Sequence, residues 1–254
     1  MTGSRRRHVA RCAARHAVRW LSRGVLRLLN IQVRAAGALP AGPALLVANH
    51  LSWIDIVAVL AHYDCTFVAK ADVRAWPLVG PLGDALGVIW IDRTRKRDLI
   101  RAVALLSDAL CGGDRVLLFP EGTTTTGREV LPFRSSLVEA AVRVGVPVVP
   151  IALSTHADND QGETLCWVGN ETLWAHLPRV RAVRSAMFEI RILAPMGAGP
   201  PRKVCSAAAR AAIVTEIVTA RQRRLRQPAV GYGVSFFAKQ NFRPIDSSER
   251  EIAR

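Results

Sequence analysis

Short apolar runs separated by amphipathic stretches make up most of the chain after residue 40. The apolar runs predict β-strands at 44–48, 66–69, 87–91, 116–119, 147–153 and 188–193. Because these runs are continuously apolar and do not alternate with polar residues, we expect a sheet that is covered on both faces. Helical spacing between and after them predicts helices at 54–62, 94–110, 133–144 and 206–226. This order predicts an α/β fold: a single layered domain whose buried sheet is mostly parallel or mixed and is flanked by helices.

A different pattern occupies residues 5–30, which we predict to form one helix. Arginine recurs there every four residues, and the apolar residues fall on the other side: Val18, Leu21, Val25, Leu28 and Leu29, with Trp20 near the boundary. Helices of this composition lie at membrane surfaces, with arginines at anionic headgroups and the aliphatic face in the acyl boundary. We therefore predict an N-terminal amphipathic membrane-surface helix. A helix that packs on the domain and points its arginines at water is the alternative.

Three regions follow from these patterns. We predict a basic amphipathic helical region over 1–36, an α/β domain over 37–226 and a peripheral tail over 227–254. The chain has 254 residues, of which half are hydrophobic, so it can bury one sizeable core. No stretch has the length and apolarity of a membrane span, and no signal peptide is recognisable. We therefore expect a peripheral or monotopic protein at the cytoplasmic face of a membrane.

The net charge of +15 predicts a surface that attracts anions, which include nucleic acid, an anionic bilayer and acidic acyl carriers. A nucleic-acid-binding protein should interleave aromatic residues with its basic ones. Aromatic residues make up only 6% of this chain, and its arginines concentrate in the terminal helices. The five cysteines are scattered and form no C-x-x-C pair, so no metal site is predicted.

The candidate chemistry lies in two short segments, 49–55 and 119–124. The first carries His50 and Asp55, the pairing that a general base needs in order to accept a proton and remain as imidazolium. Five residues separate the two by about 140° on an ideal helix, so they cannot share one helical face. We therefore predict that His50 precedes a helix and that Asp55, in its first turn, reaches back to the ring. The second segment reads as a strand that runs into a turn.

The histidine, four intervening residues and aspartate, followed by a strand that ends in Pro-Glu-Gly-Thr, resemble the glycerolipid acyltransferases that make phosphatidic acid. Three further stretches are similar to blocks of the same family, in the same order: 87–93, 131–136 and 146–151. A histidine and an aspartate at this spacing would mean little alone, since short motifs recur by chance. Several blocks in the family's order make the resemblance strong over residues 44–153.

The resemblance implies acyl transfer without an enzyme nucleophile, which agrees with the absence of a Gly-x-Ser-x-Gly elbow. The acceptor hydroxyl would attack the thioester of acyl-CoA or an acyl carrier protein as co-substrate, with no cofactor. His50 would be the base and Asp55 would orient it. The turn after Phe119 would offer N–H groups and hydroxyls to the acceptor or the oxyanion. The substrate-binding residues that the resemblance implies are Asn49, Lys70, Arg93, Glu121, Gly122, Thr123, Thr124 and Pro147. The role of Glu121 is left open between fixing the loop and binding a glycerol or ammonium group.

One position departs from the family and bears on the acceptor. Members that act on lysophosphatidic acid commonly carry an arginine where this chain has Thr124, and a hydroxyl binds phosphate less well than a guanidinium does. Lys70 and Arg93 remain as candidate cations, so 1-acyl-sn-glycerol-3-phosphate is the first expectation for the acceptor. The block around Lys70 also resembles members that acylate lyso-ornithine lipid, a phosphate-free acceptor, which is the alternative. A lipid-binding relative without catalytic activity would be expected to lose His50 or Asp55, and both are present.

Overall fold

A computed structural model describes residues 2–92, 95–157, 162–169, 171–197 and 199–226. The predicted tail over 227–254 therefore lies outside the described residues. Seven strands form one sheet: β1 (Ile31–Ala36), β2 (Ala44–Ala48), β3 (Thr66–Lys70), β4 (Ile89–Ile91), β5 (Arg115–Leu118), β6 (Val148–Ala157) and β7 (Ala186–Ile192). The helices are α1 (Thr2–Leu28), α2 (Ile54–His62), α3 (Val79–Leu86), α4 (Lys96–Cys111), α5 (Glu139–Val144), α6 (Leu173–Arg181) and α7 (Arg202–Leu225), with 3₁₀ turns at Ala71–Ala75 and Glu163–Leu165.

The strand order across the sheet is β1-β7-β6-β2-β5-β3-β4. Neighbouring strands run parallel except for β6 and β7, which are antiparallel. The carboxyl ends of β2, β3, β4 and β5 therefore lie at one edge of the sheet. Open α/β sheets place ligands at this edge, so the loops that follow these strands are where a site is expected.

Both faces of the sheet are covered, as the continuous apolar runs predict. Within β2, Leu46 packs on the side of α1, α2, α3 and α6, whereas Leu45 and Val47 pack on the side of α4, α5 and α7. A smaller cluster joins Ile213 and Ile217 of α7 to Val130 and to Ala152 of β6. The predicted α/β fold with a mixed, helix-covered sheet is confirmed.

The N-terminal helix packs against the domain, and this divides its predicted apolar face. Val18 and Leu29 are buried in the core, whereas Leu21 and Leu28 are exposed. Arg15, one of the arginines that recur every four residues, is mostly buried and pairs with Asp64 and Asp114. The packing alternative is therefore correct for one side of α1, and an apolar strip remains on the other.

The helical region predicted to end at residue 36 ends at Leu28, because residues 31–36 form β1, which pairs with β7. Asn30, with a left-handed φ of 54°, stops the helix, a role that asparagine commonly has. The predicted helix at 133–144 begins only at Glu139, because the preceding loop bonds elsewhere: the Arg134 N–H donates to the Pro120 carbonyl. Helices α3 and α6 were not predicted, since α6 contains an internal proline and α3 contains two glycines, both of which weaken the helical pattern.

Candidate active site

His50 lies two residues past the end of β2, and Asp55 lies in the first turn of α2. His50 Nδ1 is 2.7 Å from Asp55 Oδ2, and the same oxygen accepts the backbone N–H groups of Leu51 at 2.6 Å and Ser52 at 3.1 Å. The carboxylate is fully buried. The predicted contact, in which Asp55 reaches back to the ring, is therefore present. It fixes the tautomer with the proton on Nδ1 and the lone pair on Nε2.

The His50 ring is half-buried and stacks on Phe119, with centroids 4.0 Å apart and planes 17° apart. Nε2 makes no hydrogen bond to the part of the chain that the structure describes. A ring that is held at Nδ1, stacked on one face and free at Nε2 is suited to accept a proton from an incoming hydroxyl.

The turn after β5 holds the His50 backbone at two points. Glu121 Oε1 accepts the His50 N–H at 2.8 Å, and the Thr125 N–H donates to the His50 carbonyl at 2.9 Å. Glu121 Oε2 accepts the Leu131 N–H, also at 2.8 Å. Burial raises the pKa of Glu121, and the N–H groups of Leu131 and His50 oppose that rise. Both carboxylate oxygens of Glu121 therefore bond backbone N–H groups, which favours the loop-fixing alternative.

The turn has a left-handed residue, Gly122, with a φ of 77°, which a residue with a Cβ adopts only at a cost. Thr123 is exposed and Thr124 is half-buried. Their N–H groups have no hydrogen-bond partner within the described ranges. The turn therefore carries two backbone donors next to Thr125, whose own N–H bonds the His50 carbonyl.

Two residues that the resemblance assigns to substrate have other positions. Asn49 is fully buried, and its side chain bonds to both backbone groups of Leu153, at 2.9 and 2.8 Å, which ties β2 to β6. Pro147 precedes β6 and lies four residues before Ile151, the partner of Ala48 in the register. Four residues of strand span about 13 Å, so Pro147 lies near the opposite edge of the sheet from His50. The structure therefore places Asn49 just after β2, bonded to β6, and Pro147 away from the site.

Of the two predicted cations, the structure describes Lys70. Lys70 ends β3 at the same edge of the sheet as the site, but its ammonium is exposed and pairs with Asp72 at 2.5 Å. Arg93 lies outside the described residues.

Among the residues described, no group of three or more histidine, cysteine or acidic side chains could hold a metal ion. In that same part of the chain, no helix is long and apolar enough to cross a bilayer.

Comparison with known proteins identifies the family. A family model described as Acyltransferase matches residues 30–154. The lyso-ornithine lipid O-acyltransferase of Pseudomonas aeruginosa is 37% identical over 177 residues, a match that covers 70% of the chain and 68% of that relative. The chain belongs to the acyltransferase family. The family predicted from the ordered motifs is therefore confirmed.

This acyltransferase also resembles the 1-acyl-sn-glycerol-3-phosphate acyltransferase of Neisseria meningitidis, with 37% identity over 139 residues that cover 54% of each chain. The crystal structure of the 1-acyl-sn-glycerophosphate acyltransferase from Thermotoga maritima superposes with a TM-score of 0.66 at 19% identity, covering 85% of this chain and 83% of that one. At that identity the likeness concerns the fold.

A histidine outside the acyltransferase motifs also contacts the site. His176 on α6 is fully buried, accepts the indole N–H of Trp53 at 3.0 Å and stacks on Trp167. Trp53 immediately precedes α2, and the backbone N–H of Trp167 donates to the Leu51 carbonyl at 2.8 Å. His176 therefore contacts the His50–Asp55 segment directly at Trp53, and through Trp167 at Leu51. No local pattern in the sequence marks this connection.

Proposed function

We propose that the protein transfers an acyl chain from a thioester donor, acyl-CoA or an acyl carrier protein, to the free hydroxyl of a lysolipid. The observation that carries the proposal is the 2.7 Å contact between His50 Nδ1 and buried Asp55, which leaves Nε2 available. Family membership places acyl transfer first among the reactions that such a pair can support.

In the proposed step, His50 Nε2 takes the acceptor's hydroxyl proton while the oxygen attacks the thioester carbonyl carbon. The negative charge of Asp55 stabilises the imidazolium that forms. The N–H groups of Thr123 and Thr124 are candidate donors to the tetrahedral oxyanion. Collapse of this intermediate breaks the C–S bond, and the leaving thiolate recovers the proton from His50. The step needs no metal, cofactor or enzyme nucleophile.

The acceptor that the site favours is lyso-ornithine lipid. Phosphate is best bound by a guanidinium, which Thr124 does not supply, and the Lys70 ammonium at this edge already pairs with Asp72. The relatives named lyso-ornithine lipid O-acyltransferase from Pseudomonas aeruginosa and Brucella abortus are also matched over 68% and 70% of their lengths. Lysophosphatidic acid, the first expectation from the sequence, is the competing acceptor.

A competition assay tests the acceptor. Purified protein receives lyso-ornithine lipid and lysophosphatidic acid together, with acyl-CoA and acyl carrier protein donors in separate reactions. We expect preference for lyso-ornithine lipid in the wild type and a shift toward lysophosphatidic acid in Thr124→Arg. Preference of the wild type for lysophosphatidic acid would overturn the assignment of the acceptor and leave the acyl transfer intact.

We also propose that the protein acts at the cytoplasmic face of an anionic membrane, which it contacts through an exposed apolar surface. This surface comprises Trp20, Leu21 and Leu28 of α1 and Trp76, Leu78 and Val79 at the start of α3. Since α1 packs against α3, the two groups lie on the same side of the sheet. Arg27 is exposed on α1, and Arg23 lies over the Trp20 ring, so cationic groups border the apolar ones.

Sedimentation with vesicles of anionic phospholipid tests this surface. The double variant Leu28→Ser/Leu78→Ser should bind several-fold less vesicle than the wild type. Ile100→Ser is the matched control, because Ile100 is 66% exposed on α4, which packs on the other face of the sheet. An equal loss of binding in the control, or none in the double variant, would refute the proposed surface.

A further inference from the structure

We infer that Arg210, on α7, is a positioning residue for catalysis and acts through Glu121 on the backbone of His50. The inference rests on the proposed function, since it gives His50 the role of base. Arg210 lies outside the residues that the family model matches, 30–154, and none of the motifs in the sequence includes it.

The first part of the connection is the Glu121 carboxylate, which bridges two segments of the chain. One oxygen accepts the His50 N–H and the other accepts the Leu131 N–H, both at 2.8 Å. Glu121 is 4% exposed, so neither bond can be replaced easily by water. The position of Leu131 therefore helps to set the orientation of the carboxylate, and the carboxylate helps to set the His50 backbone.

The second part is Arg210, whose guanidinium bonds the backbone carbonyls on either side of the Leu131 N–H. Its Nε donates to the Leu131 carbonyl at 2.9 Å and to the Val130 carbonyl at 3.1 Å, and its Nη2 also donates to the Val130 carbonyl. A planar guanidinium fixes direction as well as distance, because its N–H groups form a rigid fork. Arg210 thus ties a loop beside the active site to the last helix of the domain.

Other side chains of α7 also contact this loop, so the helix supports it at several points. Arg221 donates to the carbonyls of Gly127 and Arg128, and Ser206 donates to the carbonyl of Phe133. Val130 packs against Ile213 and Ile217 in the smaller apolar cluster. Arg210 is the member of this set whose carbonyl partners flank the amide that Glu121 binds. Its loss should loosen that amide while the apolar contacts keep α7 in place.

The consequence for the reaction is a loss in kcat. Displacing Leu131 weakens one of the two bonds of Glu121, so the carboxylate can rotate and release the His50 N–H. A catalytic base misplaced by about 1 Å can lose on the order of 100-fold in rate. Substrate affinity should change little, because Arg210 contacts backbone carbonyls of the loop.

The test compares Arg210→Ala, Arg210→Lys and the matched control Arg223→Ala by kcat, by KM for donor and acceptor, and by the thermal midpoint. Arg223 also lies on α7, but it pairs with Glu216 at 3.4 Å. We expect Arg210→Ala to lower kcat about 10- to 100-fold with each KM within about twofold. Arg210→Lys should recover part of kcat, since lysine keeps a donor but not the fork. The control should match the wild type.

Each other outcome overturns the inference. An unchanged kcat in Arg210→Ala means that the loop does not need the arginine. A raised KM at unchanged kcat means that Arg210 binds substrate. If the alanine variant does not fold, the lysine variant decides, and a folded Arg210→Lys with wild-type kcat refutes the role. His50→Ala separates this from the proposed function: wild-type activity in that variant refutes the mechanism, whereas inactivity together with a fully active Arg210→Ala refutes only the present inference.

Discussion

Replacement of Asp55 by asparagine is the most direct test of the proposed base. Oδ2 accepts three hydrogen bonds, from His50 Nδ1 and from the N–H groups of Leu51 and Ser52, whereas buried Oδ1 has no partner among the described residues. An asparagine can place its carbonyl oxygen at Oδ2 and keep all three bonds. Its amide then replaces Oδ1, so an unpartnered acceptor becomes an unpartnered donor, which costs at most about 1–3 kcal/mol of stability.

The larger effect falls on the reaction. Asparagine lacks the negative charge that stabilises the imidazolium, and the Coulomb attraction of two unit charges about 4 Å apart is about 4 kcal/mol at an effective dielectric constant of 20. A loss of about 3–5 kcal/mol in the transition state lowers kcat roughly 10²- to 10⁴-fold. Asp55→Asn should therefore remain folded, with a moderately lower thermal midpoint, and lose nearly all acyl transfer.

The assay is release of thiol from the acyl donor at saturating lysolipid, with thermal unfolding measured on the same preparations. Asp108→Asn is the control, because Asp108 is an exposed aspartate on α4. Asp55→Asn with more than a tenth of the wild-type kcat would refute the reasoning, since the buried charge would then contribute less than about 1.4 kcal/mol. Inactivity caused by unfolding would show in the thermal midpoint.

Three further outcomes are expected. Asn49→Ala leaves both backbone groups of buried Leu153 without their partners. It should lower the free energy of unfolding, measured by urea titration, by about 2–4 kcal/mol. A smaller loss would contradict the role of Asn49 in joining β2 to β6. Burial lowers the pKa of His176, so the unfolded chain takes up a proton before the folded chain does, and stability should fall as pH drops below about 6.5. His176→Gln, which can still accept the indole N–H of Trp53, should show a weaker fall in stability. Equal falls in the two proteins would contradict this reasoning. Pro147→Ala should leave KM for both substrates within about twofold, because four residues of strand, about 13 Å, separate it from the edge of the site, and a large rise in KM would return it to substrate binding.

The sequence was most informative where structure depends on neighbouring residues. The bounds of β2 and α2 were predicted to the residue, because a continuous apolar run and a helical apolar face each signal burial locally. The contact of His50 with Asp55 was predicted for the same reason, since it forms within one turn of chain. The family was also readable from motif order alone.

Contacts between distant parts of the chain could not be read in this way. Strand β1 owes its existence to pairing with β7, about 150 residues later, which stabilises a segment whose own pattern is ambiguous. The same limit explains Asn49, whose motif position suggested a substrate but whose amide has its partner 104 residues away. Nothing local distinguishes a side chain that binds a ligand from one that completes a sheet.

The sequence by itself therefore determined the layered α/β class, the family and the two residues of the candidate base. Only the tertiary structure decided which side of α1 is buried, that Glu121 holds the His50 backbone, and that Arg210, on the last helix, contacts the loop that Glu121 binds. The physical reason is that periodicity and short motifs record local geometry, whereas the direction of a buried carboxylate or guanidinium is set by hydrogen-bond partners that folding brings together.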